Sequence, residues 1–388
     1  EQIFRDSFYA DTRRTLAVIC FTLGTWVGGI YTTNCCRYLA SKGYPITVIT
    51  PGNNKEEIFR VVQELGTAFD QVVLLGYPPF IKDVLDTGIA RGVPWQKYNI
   101  KMVFAGEVFS EEWRSLVGEK VGSRNPCYDS ASLYGTADAG VLGNETPLSI
   151  CIRRFLAGNP DASRALFGES RLPTLVQYDP LSRFFEVHEG TLLFTGNNGI
   201  PLIRYHISDT GGIISYEEML NFLAEWGFDP VTPLYLIQQV SRMLGGWQYS
   251  HQITEVRGIY QLPFVYVFGR SNFTVSYFGA NIYPENVMVG LEQLVITEWV
   301  TGKFVLQVKE DADQNRFLSV VVELAPGVEA SEEKRDAIAS SILSQLLRLN
   351  SEFANYVPKE YQMPQVVLAA TGDPEYFPIG VKHRYTRK

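Results

Sequence analysis

The sequence predicts an α/β protein. It is expected to have a large N-terminal lobe, made of a mostly parallel sheet plus a strand-rich subdomain, and a small α+β C-terminal domain. Three observations carry this expectation. Between residues 16 and 134, short β-branched runs alternate with helix-period segments, the pattern of right-handed crossovers that place helices on both faces of a parallel sheet. From about 159 to 267 strands follow one another less regularly. After Gly269 and Arg270 the pattern changes again, which divides the chain into domains 1–268 and 269–388.

In order along the chain, LAVICF at 16–21 reads as a buried strand, 28–41 as a helix stopped by Gly43, and YPITVIT at 44–50 as the next strand. Asn53 or Asn54 caps a helix whose Ile58, Val61, Val62 and Leu65 share one face, with Gly66 beyond its end. QVVLLG at 71–76 and IKMVFAGE at 100–107 are further strands. Ser110 opens another helix, and Glu111 and Glu112 suit its positive end. LPTLVQYD, RFFEVHEGTLLFTG and IPLIRYHISD form an antiparallel or mixed sheet, followed by a helix at 216–226 and the strand LPFVYVFG. The C-terminal domain holds two strands from Lys303 and Phe317, one long helix from 331 to about 353, and a last strand, PQVVLAA.

At 388 residues, with 46% hydrophobic and 20% charged residues, the chain is a soluble globular protein of more than one domain. A net charge of -8 argues against a nucleic-acid surface. Five cysteines at spacings unlike a metal pattern are reduced core thiols of a cytoplasmic protein. The four histidines are scattered singly. The apolar run at 16–31 is broken by Thr22, Gly24, Thr25, Gly28 and Gly29, so no membrane span is expected there, and residues 1–14 are too polar for a signal peptide. The chain opens on Glu1 rather than Met, which fits the loss of an N-terminal portion.

The candidate chemistry centres on NGIPLIRYHISDTGG at 198–212. Its apolar residues alternate in part, so a strand is expected to give out at Asp209, with Gly211 and Gly212 permitting a sharp turn. An ionised Asp only accepts hydrogen bonds, which suits a pair of sugar hydroxyls; it equally suits a solvated turn. VFAGE at 103–107 ends a parallel strand in small residues. LYGTADAG at 133–140 offers an aromatic ring (Tyr134), a hydroxyl (Thr136) and a carboxylate (Asp138). FGRSN at 268–272 and GANIYPENV at 279–287 follow.

In this order the strings resemble the adenylate-forming superfamily of acyl-CoA synthetases, most closely its phenylacetate-CoA ligase-like branch, from about Leu16 onward. The resemblance implies activation of a carboxylic acid, aryl or arylacetic, with ATP and Mg²⁺, then transfer to coenzyme A or a carrier protein. It places Gly106 against adenine, Tyr134 stacked on it, Thr136 beside the nucleotide and Asp138 on Mg²⁺. Asp209 takes the ribose hydroxyls, Arg270 the ribose or phosphate, and Asn272 the hinge of a mobile small domain. Lys382, in the tail FPIGVKHRYTRK, becomes the catalytic cation, although a solvated charge is the alternative there. Trp26, in TLGTWVGG, would line the acyl pocket or be plain core. The expected partners are small molecules, without nucleic acid or membrane, and a homodimer is allowed.

The chain also departs from that family. Its Ser/Thr/Gly-rich phosphate loop is absent. Ala137 stands where a hydroxyl is usual, Asp138 where Glu is commoner, His206 in place of Arg, Asn272 in place of the hinge Asp, and Ser276 where Lys is frequent. A second hypothesis is therefore an adenine-nucleotide-binding interaction protein derived from such an enzyme, with reduced turnover or none. A dinucleotide-dependent oxidoreductase is disfavoured because GTWVGG at 24–29 lacks GxGxxG spacing.

Overall fold

The computed structural model describes residues 1–168, 172–197, 200–244, 257–270, 274–378 and 384–387, with the backbone alone at 239–244, 270 and 285. The chain divides into two compact units, Glu1–Gly269 and Arg270–Lys388.

The first unit begins with β1 (Thr15–Ile19), α1 (Val27–Ser41), β2 (Ile46–Ile49), α2 (Lys55–Leu65), β3 (Gln71–Gly76), α3 (Pro78–Ala90), β4 (Ile100–Ala105), α4 (Glu111–Val121), α5 (Pro126–Asp129) and β5 (Ser130–Thr136). β1 and β3 are buried at every position, as central parallel strands must be when helices cover both faces. Asn54 rather than Asn53 caps α2, accepting a hydrogen bond from the Glu57 amide at 3.2 Å. The Ser110 hydroxyl caps α4 by accepting from the Trp113 amide at 3.1 Å.

The chain continues through β6 (Gly140–Asn144), α6 (Pro147–Ala157), α7 (Pro160–Phe167), β7 (Thr174–Gln177), β8 (Arg183–His188), β9 (Thr191–Asn197), β10 (Pro201–Ile214), α8 (Tyr216–Glu225), α9 (Val231–Leu244) and β11 (Phe264–Arg270). The strands form one sheet in the order β2-β1-β3-β4-β5-β6-β7-β11-β10-β9-β8. Its first five members are parallel, whereas β5–β6, β6–β7, β7–β11, β10–β9 and β9–β8 pair antiparallel. The strand-rich region is thus the continuation of the parallel sheet. RFFEVHEGTLLFTG folds as the hairpin β8–β9, turning at Glu189 and Gly190, both at positive φ.

Asp209 corrects the sequence reading, because β10 does not end there. It runs five residues further, past a register irregularity between His206 and Thr210 in which Ser208 takes φ 63°. Gly211 and Gly212 are not turn residues either. A Cβ on Gly211 would lie 2.0 Å from the Tyr266 carbonyl oxygen, and one on Gly212 would lie 2.4 Å from the Tyr266 hydroxyl. The glycines therefore let Tyr266 of β11 approach the β10 backbone closely.

The second unit holds β12 (Val275–Tyr277), β13 (Ala280–Ile282), α10 (Pro284–Leu291), β14 (Val300–Glu310), β15 (Arg316–Leu324), α11 (Glu332–Leu349), α12 (Ser351–Tyr356) and β16 (Gln365–Ala369). β12 and β13 pair as a hairpin, while β14, β15 and β16 form a separate sheet in that order. The long helix expected to reach 353 breaks at Asn350, where φ is -120° and ψ is 96°. The Asn350 side chain accepts from the Phe353 amide at 2.9 Å, so the residue closes one helix and caps the next.

All five cysteines are free, but Cys35 is exposed rather than core. Burial pushes the Cys36 thiol up to about 12. Among the described residues no helix is long and apolar enough to cross a membrane.

Candidate functional site

β5 and β6 form a hairpin whose turn, 137–139, carries Asp138. The Thr136 hydroxyl accepts from the Ala139 amide at 3.0 Å and so closes that turn. Tyr134 lies on β5 with its ring 6.3 Å from Phe185 at an interplanar angle of 28°. It donates its hydroxyl hydrogen to Asp209 Oδ2 at 2.8 Å. From β10, Tyr205 donates to Asp138 Oδ2, also at 2.8 Å. Hairpin and β10 are therefore braced twice and in opposite directions, although β7 and β11 separate them in the sheet.

The two carboxylates differ. Asp209 is 6% exposed and sits beside an apolar cluster of Tyr134, Tyr178, Phe185, Leu192, Phe194 and Val267. Asp138 is exposed. Next to Asp209, the Thr210 hydroxyl donates to the Gly269 carbonyl at 3.0 Å, tying the carboxylate's own strand to the end of β11.

Gly106 follows β4 at φ 90° and is exposed. Because Ala105 pairs with Leu133, Gly106 lies one step beyond that pair, level with Tyr134. Trp26 is half-buried at the start of α1, and β1, which leads to it, is separated from β5 by β3 and β4. Arg270 closes β11 and is described by its backbone alone. Asn272 and Lys382 lie outside the described residues.

The loop bearing Gly106 and the strand bearing Tyr134 share a buried ion network that the sequence reading missed. Arg114 reaches Glu111 at 3.0 Å and Glu145 at 2.7 Å, and donates to the Ser130 hydroxyl at 2.9 Å. Glu145 accepts from the Ser132 amide at 2.7 Å. Arg153 pairs with Glu111 and donates to the carbonyls of Phe109 and Pro173. All four charged residues are 4% exposed or less. Burial alone would raise the Glu111 carboxyl, but the charges of Arg114, Arg153 and Arg154 outweigh it and hold it below the usual carboxylate range. The sequence reading assigned Glu111 to the positive end of α4 and had no signal for partners 31 or more residues away in Glu145 and Arg153. For Tyr205 a partial signal exists: Tyr205 and Ile207 alternate and both pack against the cluster around Tyr134, before the irregularity between His206 and Thr210 breaks the period.

No group of three or more His, Cys, Asp or Glu residues that could hold a metal occurs among the described residues. Asp138 by itself fits an ion that arrives already bound to phosphate, since Mg²⁺ commonly takes one or two carboxylates and keeps its remaining water and phosphate ligands.

No family model and no curated protein matches the sequence. Solved structures do match. That of 2-hydroxyisobutyryl-CoA ligase, in complex with 2-HIB-AMP and CoA in the thioesterification state, aligns with a TM-score of 0.58 and 13% identity over 98% of this chain. A point mutant of the amide bond synthetase McbA from Marinactinospora thermotolerans aligns with a TM-score of 0.50 and 12% identity over 95%. The chain has the fold of the adenylate-forming ligases. It spans 66% of the first of those chains and 60% of the second. Within the adenylate-forming fold the doubly braced Tyr134, Asp209, Tyr205 and Asp138 are the residues that geometry brings together.

Proposed function

We propose that the chain is an acid–thiol ligase of the phenylacetate-CoA ligase-like branch. It activates a small aryl or arylacetic acid with ATP and passes the acyl group to coenzyme A. In the first step a carboxylate oxygen of the acid attacks the α-phosphorus of ATP; the bond to the β-phosphate oxygen breaks, giving acyl-AMP and pyrophosphate. In the second, the thiolate of coenzyme A attacks the acyl carbon, AMP leaves, and the thiol proton goes to solvent.

The observation that carries this reading is the Tyr134–Asp209 pair, a buried carboxylate fixed by an aromatic hydroxyl, within a fold that adenylate-forming ligases share. Asp209 accepts the ribose hydroxyls, and Tyr134 fixes the carboxylate while presenting its ring to adenine beside Gly106. Thr136 shapes the turn next to the nucleotide. Asp138 would hold Mg²⁺, which when bound supplies charge neutralisation on the phosphates. Arg270 and Lys382 are the cations for the phosphate region, Asn272 is the hinge and Trp26 lines the acyl pocket. A carrier protein is the alternative acceptor, and free cysteines favour a reducing, cytoplasmic setting.

The test is carboxylate-dependent exchange of pyrophosphate into ATP across a panel of aryl and aliphatic acids. Exchange with an aryl acid is expected. Absence of exchange with every acid, together with no binding of AMP, overturns the proposal. Ala137, an exposed methyl in the hairpin turn where the resembled family carries a hydroxyl, favours a second reading of nucleotide binding without turnover. Such a protein would bind AMP and show no preference for a non-hydrolysable acyl-adenylate mimic in calorimetry.

A further inference from the structure

A lone exposed carboxylate on a turn is a weak and poorly aimed ligand. Its side chain samples several rotamers in water, and each must be abandoned on binding an ion. Asp138 does not have that freedom, because the Tyr205 hydroxyl holds its Oδ2 at 2.8 Å. Tyr205 is itself held. It sits opposite Phe194 in the β9–β10 ladder, its ring lies 5.4 Å from the Phe194 ring at 57°, and it packs against the apolar cluster around Tyr134. Near neutral pH a tyrosine keeps its proton, so toward a carboxylate it acts as a donor.

We propose that Tyr205 is a positioning residue for Asp138: it fixes one carboxylate oxygen so that the other, Oδ1, is presented to a hydrated Mg²⁺ arriving with the nucleotide. This rests on the ligase reading above and extends it to a residue to which that reading gives no role. The geometry adds a reason for the placement. Tyr205 lies four residues before Asp209 on the same strand, so one segment sets both the carboxylate for the ribose and the carboxylate for the ion. The spacing between the two sites then follows from β10 itself. Outer partners of this kind commonly govern metal affinity through orientation.

The experiment is calorimetric titration of the 388-residue chain with ATP at a series of Mg²⁺ concentrations, and separately with AMP in the absence of metal. In Tyr205→Phe, which keeps the ring packing and removes the hydroxyl, the Mg²⁺ concentration for half-maximal ATP binding is expected to rise about tenfold, with AMP affinity unchanged. Asp138→Asn is expected to give the same shift, and Tyr205→Phe on that background to add nothing. A Mg²⁺ dependence that Tyr205→Phe leaves in place, an AMP affinity that falls in parallel, or additive effects of the two substitutions overturn the proposal while leaving the nucleotide reading standing. A wild-type chain that binds neither ATP nor AMP overturns both. Should Tyr205→Phe fail to fold, Phe194→Leu, which removes the ring that holds Tyr205 and leaves its hydroxyl and Asp138 in place, must raise the Mg²⁺ requirement for ATP binding with AMP affinity unchanged.

Discussion

Tyr134 and Asp209 stand 75 residues apart in the chain and share a hydrogen bond of 2.8 Å in a site where both side chains are buried. A hydrogen bond to a charged group contributes about 1.5–3 kcal/mol. Tyr134→Phe is therefore expected to lower the unfolding free energy of the first unit by about that amount, read from urea denaturation. An unchanged midpoint would show that the bond adds nothing.

Asp209 is the residue on which nucleotide binding depends in the proposed function. Asp209→Ala is expected to weaken AMP binding roughly ten- to hundredfold, the loss of one or two charge-assisted hydrogen bonds. Calorimetry with AMP checks this, and wild-type affinity in the variant would remove Asp209 from the site.

Gly211 is packed against backbone rather than a flexible side chain, with the Tyr266 carbonyl oxygen 2.0 Å from where a Cβ would stand. Gly211→Ala is expected to cost about 3 kcal/mol or more, the upper range of overpacking, or to prevent folding. Thermal unfolding of the purified variant decides it. A Tm equal to wild type would mean that β10 and β11 can separate without penalty.

Glu111 gives a pH prediction. Its carboxyl is held below the ordinary range in the folded state, where three arginines outweigh the effect of burial. Folding therefore gains from this group above the ordinary glutamate value of about 4.3 and loses that gain as the pH falls through the folded value. Glu111→Gln is expected to destabilise by about 3–5 kcal/mol at neutral pH, because Arg114 and Arg153 keep their charge in a buried site. The variant should also lose less stability than wild type on acidification from pH 6 toward 3.5. Parallel stability–pH curves would show that Glu111 is not the titrating partner.

Much of the parallel half of the sheet was legible because its chemistry is local. The continuous apolar runs of β1 and β3, and the capping side chains Asn54 and Ser110, announce themselves within a few residues. α3 and α6 are hard to place from the sequence because polar residues that ordinarily mark a solvent face, Lys82 and Asp83 in α3 and Ser149 and Arg153 in α6, are buried. The course of β10 is not legible in the sequence, because glycines commonly signal a turn, whereas here Gly211 and Gly212 answer to Tyr266, more than 50 residues downstream. In the site, Tyr134, Asp138 and Asp209 could be named from short strings. The two hydroxyl–carboxylate bonds joining those strings depend on tertiary distances, and the Glu111–Arg114–Glu145–Arg153 network does so entirely.

β11, the last strand of its unit, is inserted between β7 and β10 rather than added at an edge. A nascent chain emerging from the ribosome can therefore zip together β1 to β5, but it must wait for residue 270 before the gap beside β7 is filled. Until then β7 and β10 each expose an open edge. This interval is when the growing polypeptide is most prone to stick to its neighbours, and when a holding chaperone would be of most use.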